Sequence, residues 1–348
     1  MTGPDAEPHI HSLREAIERL RSPYALEELA TLTGEGVLIV DLPAADEGPI
    51  DPQLLELVRE RLGQLACPSI AIREKQISTC AEALLSAFDV VLEGGMSGLE
   101  PVLAPMREKP LASLALVQLL RHNELNDVHQ GLVAESIVYS ILQTGLEFGA
   151  WAKRHVPRER PPWPEPAVLK ERRGARLSIT LNRPDRHNAF ALELRDGLVE
   201  GLELALFDDS IEEVVLRGNG PSFCSGGDLD EFGSFPDPVT AHAVRSTRNP
   251  GRLLAALAPR VRAQVHGACV GAGAELPAFV SRIEADESAW FQLPELSMGL
   301  VPGAGGTVSL TKRIGRQRTA WLALTGERID AATALDWGLV DAVVRSAG

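Results

Sequence analysis

Apolar runs and helical stripes alternate along the first half of the chain. Residues 36–41 and 88–92 are short, largely apolar runs next to glycines, and they predict two buried strands. Between them lies a predicted helix with apolar residues at helical spacing, namely Leu54, Leu55, Val58, Leu62 and Leu65. Two further helical segments are predicted at about residues 110–121 and 125–152.

The last of these segments has two different faces. One face is only partly apolar and contains Leu125, Val128, Leu132 and Glu135. The other face carries a clearer apolar stripe, formed by Val133, Ile137, Val138 and Ile141. Helical periodicity therefore favours the second face as the apolar side of this helix.

Strands and helices also alternate in the second half of the chain. Residues 176–181, 213–217 and 262–265 are predicted strands. Between the first two lies a predicted helix with a leucine stripe, namely Leu194, Leu198, Leu202 and Leu206. This alternation predicts an α/β fold whose strands are joined mostly by right-handed crossovers.

A proline-rich stretch at residues 157–166 divides the chain. Four of its last six residues are prolines, which exclude a helix and favour an extended linker. We therefore predict an N-terminal α/β region of unknown role at residues 1–109 and a helical region at residues 110–156. The linker then leads into a core at residues 167–348.

Charge and cysteine usage narrow the class of protein. The 348 residues carry a formal net charge of -14, which argues against nucleic acids and anionic membranes as partners. No apolar run could span a bilayer, and residues 1–20 lack the apolar stretch of a signal peptide. The four cysteines show no paired metal-type spacing. We therefore expect reduced thiols, a cytoplasmic location and no metal site.

Two glutamates, Glu275 and Glu295, each accompany a glycine-rich segment. Two carboxyl groups in one pocket can act as acid and base if their environments separate their pKa values. Nearby glycines let backbone N–H groups approach a substrate oxygen that develops negative charge. The combination predicts chemistry next to a carbonyl group.

Several motifs in a fixed order give residues from about 175 to 344 a resemblance to the crotonase superfamily, the enoyl-CoA hydratase/isomerase fold. They are residues 181–184 (LNRP) with Asn188 and Ala189, residues 223–229 (FCSGGDL), residues 267–276 (GACVGAGAEL), Pro294 with Glu295, residues 299–307 (GLVPGAGGT) and residues 324–329 (LTGERI). Any one of these motifs is a weak signal. Their order and spacing together resemble those of the family.

The resemblance implies a spiral of ββα units that binds an acyl-CoA thioester. By position, the backbone N–H groups of Gly227 and Ala272 would form an oxyanion hole for the thioester oxygen. Glu275 and Glu295 match the two catalytic glutamates of the hydratases, which hold a water molecule between them. The family usually has glycine at the position of Ala272, and a positive φ there would strain alanine.

The same resemblance implies a set of residues near the substrate and its coenzyme A part, namely Arg183, Arg186, Asn188, Ala189, Ser225, Gly226, Asp228 and Leu229. The two arginines could pair with a phosphate, or they could be ordinary solvated surface residues. Coenzyme A would enter as part of the substrate, and no separate cofactor is expected. The family also implies a homo-oligomer, either a trimer or a hexamer.

Six apolar residues near the two glycine-rich loops could line an acyl pocket or belong to the core, namely Leu229, Phe232, Phe235, Phe291, Met298 and Leu300. In relatives, C-terminal helices cover the active site, whereas this sequence stops soon after residues 338–340. The helical region 110–156 could replace them in a permuted arrangement, with Lys153 and Arg154 near coenzyme A. It could equally belong to an unrelated N-terminal domain.

Three kinds of function fit these observations. The first is an enoyl-CoA hydratase of fatty acid metabolism, which adds water across the 2,3 double bond of a 2-enoyl-CoA. The second is another crotonase chemistry, such as double-bond isomerisation, dehydration of an acyl-CoA or cofactor-free oxygenation. The third is a non-catalytic scaffold subunit that binds acyl-CoA. The presence of both glutamates favours hydration.

Overall fold

The computed structural model describes residues 8–45, 50–158, 163–232 and 237–345. The chain splits into two compact units. Unit 1 comprises Met1–Arg121 and Arg316–Thr325, and unit 2 comprises His122–Gly315 and Gly326–Gly348. Most of the predicted helical region 110–156 therefore lies in the same unit as most of the predicted core. Residues 159–162 of the predicted linker lie outside the described residues.

Unit 1 is built on a parallel sheet of four strands in the order β1-β2-β3-β4. In chain order its elements up to the unit boundary are β1 (Ile10–Ser12), α1 (Leu13–Arg21), α2 (Ala25–Glu28), β2 (Leu38–Asp41), α3 (Pro52–Gln64), β3 (Ser69–Arg73), α4 (Thr79–Leu85), β4 (Val90–Glu93), α5 (Leu99–Glu108) and α6 (Pro110–Leu125). The predicted strands at 36–41 and 88–92 are confirmed as β2 and β4, and the helix between them as α3. Strand β3 was not predicted.

The remaining elements follow in chain order as α7 (Val128–Gln143), α8 (Leu146–Ala152), β5 (Val168–Arg173), β6 (Arg176–Leu181), α9 (Leu192–Phe207), β7 (Glu213–Gly218), α10 (Pro238–Thr247), α11 (Pro250–Ala256), β8 (Val261–Val265), β9 (Ala268–Val270), α12 (Ala272–Glu275), β10 (Arg282–Asp286), β11 (Trp290–Gln292), α13 (Gly306–Ile314), α14 (Arg316–Thr325), β12 (Ile329–Asp330), α15 (Ala331–Asp336) and β13 (Ala342–Val344). Of these, α14 belongs to unit 1.

Unit 2 contains two sheets. The larger has the strand order β13-β10-β8-β7-β6-β5, in which all pairs are parallel except β5 with β6. The smaller has the order β12-β11-β9, and β9 and β11 are parallel. The predicted strands at 176–181, 213–217 and 262–265 are confirmed as β6, β7 and β8. The α/β fold class with mostly parallel strands is therefore confirmed.

The predicted helix 125–152 is divided into α7 and α8, which are separated by Thr144 and Gly145. The clearer apolar stripe is not the buried face of α7. The buried residues of α7 include Leu132, Glu135, Ser136 and Ser140, whereas Ile137 and Ile141 are exposed. The polar side can be buried because hydrogen bonds satisfy its side chains.

Helix α7 packs closely on α13. A Cβ atom on Gly131 would lie only 2.8 Å from Val308 Cγ2, so a larger residue there would push the helices apart. This approach brings the polar side of α7 to the N-terminus of α13. In the parts of the chain that the structure describes, no helix has both the length and the apolar character needed to cross a membrane.

Candidate active site

Two neighbouring strand ends position the two glutamates. Strands β9 and β11 are parallel, with Val270 opposite Gln292, so the chain leaves both strands at the same edge of the sheet. Beyond that edge, Gly271 donates its N–H to the Gln292 carbonyl oxygen at 2.9 Å. Helix α12 then carries Glu275, and a 3-10 turn after β11 carries Glu295. The sheet therefore brings together two glutamates that are distant in sequence.

Gly271 lies next to both carboxyl groups. A Cβ atom on Gly271 would lie 2.5 Å from Glu295 Oε1 and 3.7 Å from Glu275 Oε1. The φ of Gly271 is +48°, a conformation that favours glycine. Both glutamates are buried, with relative exposures of 2% and 8%. The two Oε1 atoms thus converge over one short stretch of backbone that has no side chain.

The second oxygen differs between the two glutamates. Glu275 Oε2 accepts the N–H groups of Ala304 at 2.7 Å and Gly306 at 2.8 Å. Glu295 Oε2 is buried and has no hydrogen-bond partner among the described residues. The environments of the two carboxyl groups are therefore unequal, as an acid and base pair requires.

The pKa values of both groups are raised. Burial raises the pKa of Glu275 to about 7, although its two backbone donors lower it. Burial, and after it the charge of Glu275, raises the pKa of Glu295 well above its ordinary value. Two carboxyl groups in one buried site resist ionising together. Two backbone donors, Ala304 and Gly306, lower the pKa of Glu275, whereas the only backbone donor that lowers the pKa of Glu295 among the described residues is its own N–H. We therefore infer that Glu275 ionises first.

Two backbone N–H groups that could bind an anion belong to residues lining the cavity of the two glutamates. Cys224 and Cys269 pair across two parallel segments, and Gly227 and Ala272 each follow three residues later. Both line the same cavity as the glutamates. Neither N–H donates to another group in the described residues. These two groups are therefore available to bind an oxygen atom.

Ala272 adopts an ordinary backbone conformation. Among the described residues, the non-glycine positions with positive φ are His187 and Asn188. The positive φ of this turn belongs to Gly271, and Ala272 begins helix α12. The strain that a positive φ would impose on alanine at this position is therefore absent.

A cavity of about 160 Å³ opens beside these groups. Of the apolar residues predicted to line it, Phe232 does so. Phe291 is a core residue with 1% exposure, and Leu229 is 40% exposed. Met298 and Leu300 belong to a buried cluster with Phe148, against which Tyr139 and Phe232 of the cavity wall pack. Phe235 lies outside the described residues.

The two arginines predicted to meet coenzyme A are not ordinary solvated residues. Arg183 is 3% exposed, and its Nη2 lies 3.7 Å from Asp228 Oδ2. Its Nε and Nη1 have no hydrogen-bond partner among the described residues. The Arg186 side chain is 13% exposed, and its Nε lies 3.8 Å from Asp185 Oδ2. A phosphate contact of either arginine stays a prediction.

Asn188 organises the loop that contains these arginines. Its Oδ1 accepts the Arg183 N–H at 2.7 Å. Its Nδ2 donates to the carbonyl oxygens of Asn219 and Ser222, at 2.9 Å in each case. All its polar side-chain atoms are thus used inside the protein. Asn188 stabilises the loop, and direct contact with coenzyme A stays a prediction.

The loop at residues 183–190 is also joined to the turn at residues 224–227. Ser225 donates its N–H to the His187 carbonyl oxygen at 3.0 Å, and Gly226 accepts the Phe190 N–H at 2.7 Å. Ala189 lies between the two contacting residues in sequence, and it is buried, with 9% exposure. These bonds hold Gly227 in place. The roles of Ala189, Ser225 and Gly226 toward coenzyme A stay predictions.

Helix α7 contributes side chains to the site that the sequence pattern did not predict. Glu135, Tyr139 and Gln143 are four residues apart and therefore share one side of the helix. Tyr139 and Gln143 line the cavity. Glu135 Oε1 accepts the Gly305 N–H at 2.7 Å, and its Oε2 accepts both the N–H and the hydroxyl of Thr307. The sequence feature that could have identified Glu135 is its position as an acidic residue on the partly apolar face of the predicted helix.

Four consecutive N–H groups at the N-terminus of α13 are shared between two carboxyl groups. Those of Ala304 and Gly306 donate to Glu275, whereas those of Gly305 and Thr307 donate to Glu135. The first N–H groups of a helix lack partners within the helix and favour negative charge nearby. Burial, and after it the charge of Glu275, raises the pKa of Glu135 to about 8.

One group in unit 1 has the geometry of a possible metal site. Among the described residues, ligand atoms of His9, His11 and Glu15 lie within 4.8 Å of one another. His11 already contacts Glu35 at 3.1 Å, and Glu15 forms a capping box with Ser12 at the start of α1. Two of these three side chains therefore have partners within the protein.

Comparison with known proteins places the second half of the chain in a family. A family model described as enoyl-CoA hydratase/isomerase matches residues 171–347, just over half of the chain. The 2,3-dehydroadipyl-CoA hydratase of Escherichia coli (strain K12) is 39% identical over 170 residues, which are 49% of this chain and 66% of that protein. The 1,2-epoxyphenylacetyl-CoA isomerase of the same strain is 37% identical over 172 residues, with 48% and 66% covered.

A probable enoyl-CoA hydratase of Mycobacterium tuberculosis (strain CDC 1551 / Oshkosh) is 34% identical over 179 residues, which are 51% of this chain and 68% of that protein. The chain thus spans about two thirds of the length of these curated relatives. The solved structure of an enoyl-CoA hydratase from Mycobacterium smegmatis is 32% identical, covers 52% of this chain and 71% of its own, and has a TM-score of 0.48. With its family motifs matched in order, the chain belongs to the enoyl-CoA hydratase/isomerase family, the crotonase superfamily.

Proposed function

We propose that this protein is an enoyl-CoA hydratase, which adds water across the 2,3 double bond of a 2-enoyl-CoA thioester. The observation that carries the proposal is the convergence of Glu275 and Glu295 beside Gly271. They share a cavity with Gly227 and Ala272. Hydration needs a base for water, an acid for Cα and donors for the thioester oxygen. These four residues supply all three.

The N–H groups of Gly227 and Ala272 would bind the thioester oxygen. As the water oxygen adds to Cβ, electrons move through Cα onto this oxygen and an enolate forms. Fixed backbone donors stabilise the developing charge without reorganisation, and one such donor is typically worth on the order of a hundredfold in rate. The same donors also orient the thioester beside the carboxyl pair.

Glu275 would act as the base and Glu295 as the acid. The N–H groups of Ala304 and Gly306 hold one oxygen of Glu275, so its Oε1 is left to take a proton from water. Glu295, which ionises later, holds the proton that is delivered to Cα. After addition, Glu275 is protonated and Glu295 is ionised, and proton exchange through water restores the pair. Coenzyme A is part of the substrate, and these steps use no other cofactor.

Double-bond isomerisation is a second candidate. It is favoured by the family description, which names both hydratases and isomerases of enoyl-CoA, and one relative at 37% identity is named as an isomerase of an epoxy acyl-CoA. Isomerisation of an enoyl-CoA moves a proton between carbon atoms and adds no water. A single carboxyl group can carry out that transfer, so the presence of two carboxyl groups supports hydration more strongly.

The test is hydration of crotonyl-CoA in ¹⁸O-labelled water. The wild-type protein is expected to remove the enoyl thioester absorbance and to place the label on Cβ. Glu275→Gln and Glu295→Gln are each expected to lower kcat by about 10²- to 10⁴-fold, because general acid and base catalysis contributes this much. Glu193→Gln, which changes an exposed carboxyl group, serves as the control with wild-type activity.

Titration calorimetry with butyryl-CoA separates binding from chemistry, and both glutamine variants should still bind it. Full hydration activity in both variants would mean that the two-glutamate mechanism is wrong. A shifted double bond without label in the product would favour isomerisation. Failure of the wild-type protein to bind any acyl-CoA would contradict the enzyme proposal and favour a scaffold subunit.

A further inference from the structure

Two cations line the cavity, and they differ in their partners. Arg195 forms an ion pair with Asp196, with 2.8 Å between Nη2 and Oδ1. Arg245 has no carboxylate partner within ion-pair distance among the described residues. Its Nε donates to Ser136 Oγ at 3.0 Å, and its Nη2 donates to the Ser136 carbonyl oxygen at 3.4 Å and to Ser140 Oγ. These acceptors are all neutral, so no carboxylate contacts the Arg245 guanidinium directly.

The acidic residues of the cavity wall have other partners or roles. Asp228 pairs with Arg183, and the Glu231 carboxylate accepts the Leu192 N–H at 2.8 Å. The remaining acids of the cavity wall, Glu275 and Glu295, form the proposed acid and base pair. Burial lowers the pKa of Arg245, although the charges of Tyr139 and Glu135 raise it, so burial of the guanidinium carries a cost. A bound anion would offset that cost.

Arg245 is separated from the reacting groups by one aromatic ring. Its guanidinium carbon lies 5.0 Å from the centre of the Tyr139 ring. A Cβ atom on Gly303 would lie 2.5 Å from the same ring, and the next residue, Ala304, donates its N–H to Glu275. An acyl chain with its double bond at the glutamates could therefore extend along Tyr139 to Arg245.

We propose that Arg245 forms an anion subsite that binds a carboxylate at the far end of the acyl group. The preferred substrates are then coenzyme A thioesters of 2-enoic dicarboxylic acids, in place of acyl groups that end in a methyl. Gln143 and Tyr139 line the same cavity and carry further polar groups. This inference rests on the proposed hydratase function for its chemistry, but the anion subsite can be tested by binding alone.

The kinetic test uses two 2-enoyl-CoA substrates of equal chain length, one ending in a methyl and the other in a carboxylate. The wild-type protein should show at least about tenfold higher kcat/KM for the carboxylate substrate. Arg245→Gln should lower kcat/KM for that substrate by about 30-fold or more, because one partner of a buried charge pair is lost. The methyl substrate should change less than about threefold.

Two further variants distinguish loss of the anion subsite from misfolding of the protein. Arg245→Lys keeps the positive charge but lacks the planar guanidinium group with its paired N–H donors. This variant should retain part of the carboxylate preference. Arg252→Gln removes an exposed cation on α11 and should leave both substrates unaffected. An equal loss of activity on both substrates in Arg245→Gln would overturn the subsite and indicate a structural role, in which Arg245 only holds α10 to α7.

The binding test uses adipyl-CoA, hexanoyl-CoA and free coenzyme A in titration calorimetry, so that no hydration is required. The wild-type protein should bind adipyl-CoA at least about tenfold more tightly than hexanoyl-CoA, and Arg245→Gln should abolish that difference. If this holds while no substrate is hydrated, the anion subsite stands and the hydratase proposal fails. Absence of the preference, or weaker binding of free coenzyme A by Arg245→Gln, would overturn the subsite. The second result would place Arg245 on a coenzyme A phosphate.

Discussion

At the scale of single residues, Gly271 controls how closely the two glutamates approach. We predict that Gly271→Ala lowers kcat by about 10²-fold, because a Cβ atom there would lie 2.5 Å from Glu295 Oε1 and small displacements of catalytic groups are costly. Gly338→Ala is the matched control, since Gly338 also has a positive φ of +78° but nothing within 4 Å of the added Cβ. Equal kcat values in the two variants would contradict the proposed position of Glu295 in the reaction.

The pH dependence of the reaction follows from the same pair. Glu275 must be ionised to accept a proton, and its pKa is raised to about 7. We therefore expect kcat/KM for crotonyl-CoA to fall about tenfold per pH unit below about pH 7, as the carboxylate becomes protonated. At high pH the rate should fall again, because Glu295 must keep its proton and its pKa is also raised. The residual activity of Glu275→Gln should lack the acid limb. An acid limb near pH 4.5, the ordinary pKa of glutamate, would contradict the assignment.

At the scale of elements, Glu135 of α7 and Glu275 of α12 share the N–H groups at the N-terminus of α13, and this sharing positions Glu275. We predict that Glu135→Gln lowers kcat by about 10- to 100-fold while the calorimetric affinity for butyryl-CoA changes little. The new amide group would face either the Gly305 or the Thr307 N–H, and two donors repel each other. A displaced catalytic base loses rate on about this scale, because small misplacements of catalytic groups are costly.

Glu124→Gln, at an exposed position near the end of α6, is the control for that variant. The split between kcat and binding is the decisive readout, since a general loss of structure would reduce both. If Glu135→Gln instead weakens binding and leaves kcat unchanged, Glu135 does not position the catalytic base.

The elements also show what sequence patterns can resolve. Strand β6 coincides with the predicted residues 176–181, because apolar and polar residues alternate there and a turn sequence follows. The clearer apolar stripe of α7 does not mark its buried face, because the polar residues of the other face bond to a distant part of the chain. Periodicity measures hydrophobicity, and it does not reveal that Ser136, Ser140 and Glu135 have buried partners.

At the scale of the whole molecule, unit 1 contains a buried charge cluster that joins separate parts of the sequence. Asp89 is 1% exposed and accepts hydrogen bonds from Arg121 and Arg316, including contacts at 2.6 Å and 2.8 Å. We predict that Asp89→Asn destabilises the protein by about 3–5 kcal/mol, because it leaves two buried guanidinium groups without their counter-charge. Urea unfolding followed by circular dichroism measures the change. Asp41→Asn, which changes an exposed carboxyl group of β2, should shift the midpoint little; an equally small shift for Asp89→Asn would contradict the prediction.

The sequence by itself determined the α/β class, the family and the glutamate pair, because these depend on local patterns of apolar residues, glycines and motif spacing. It also located the candidate N–H donors, Gly227 and Ala272. Only the tertiary structure decided what surrounds them. The bond between Glu135 and Gly305 joins residues 170 positions apart, and Arg245 is held by Ser136 from a helix 109 positions earlier. Contacts over such separations have no periodicity along the chain, so they become visible only when folding brings α7 against α10 and α13.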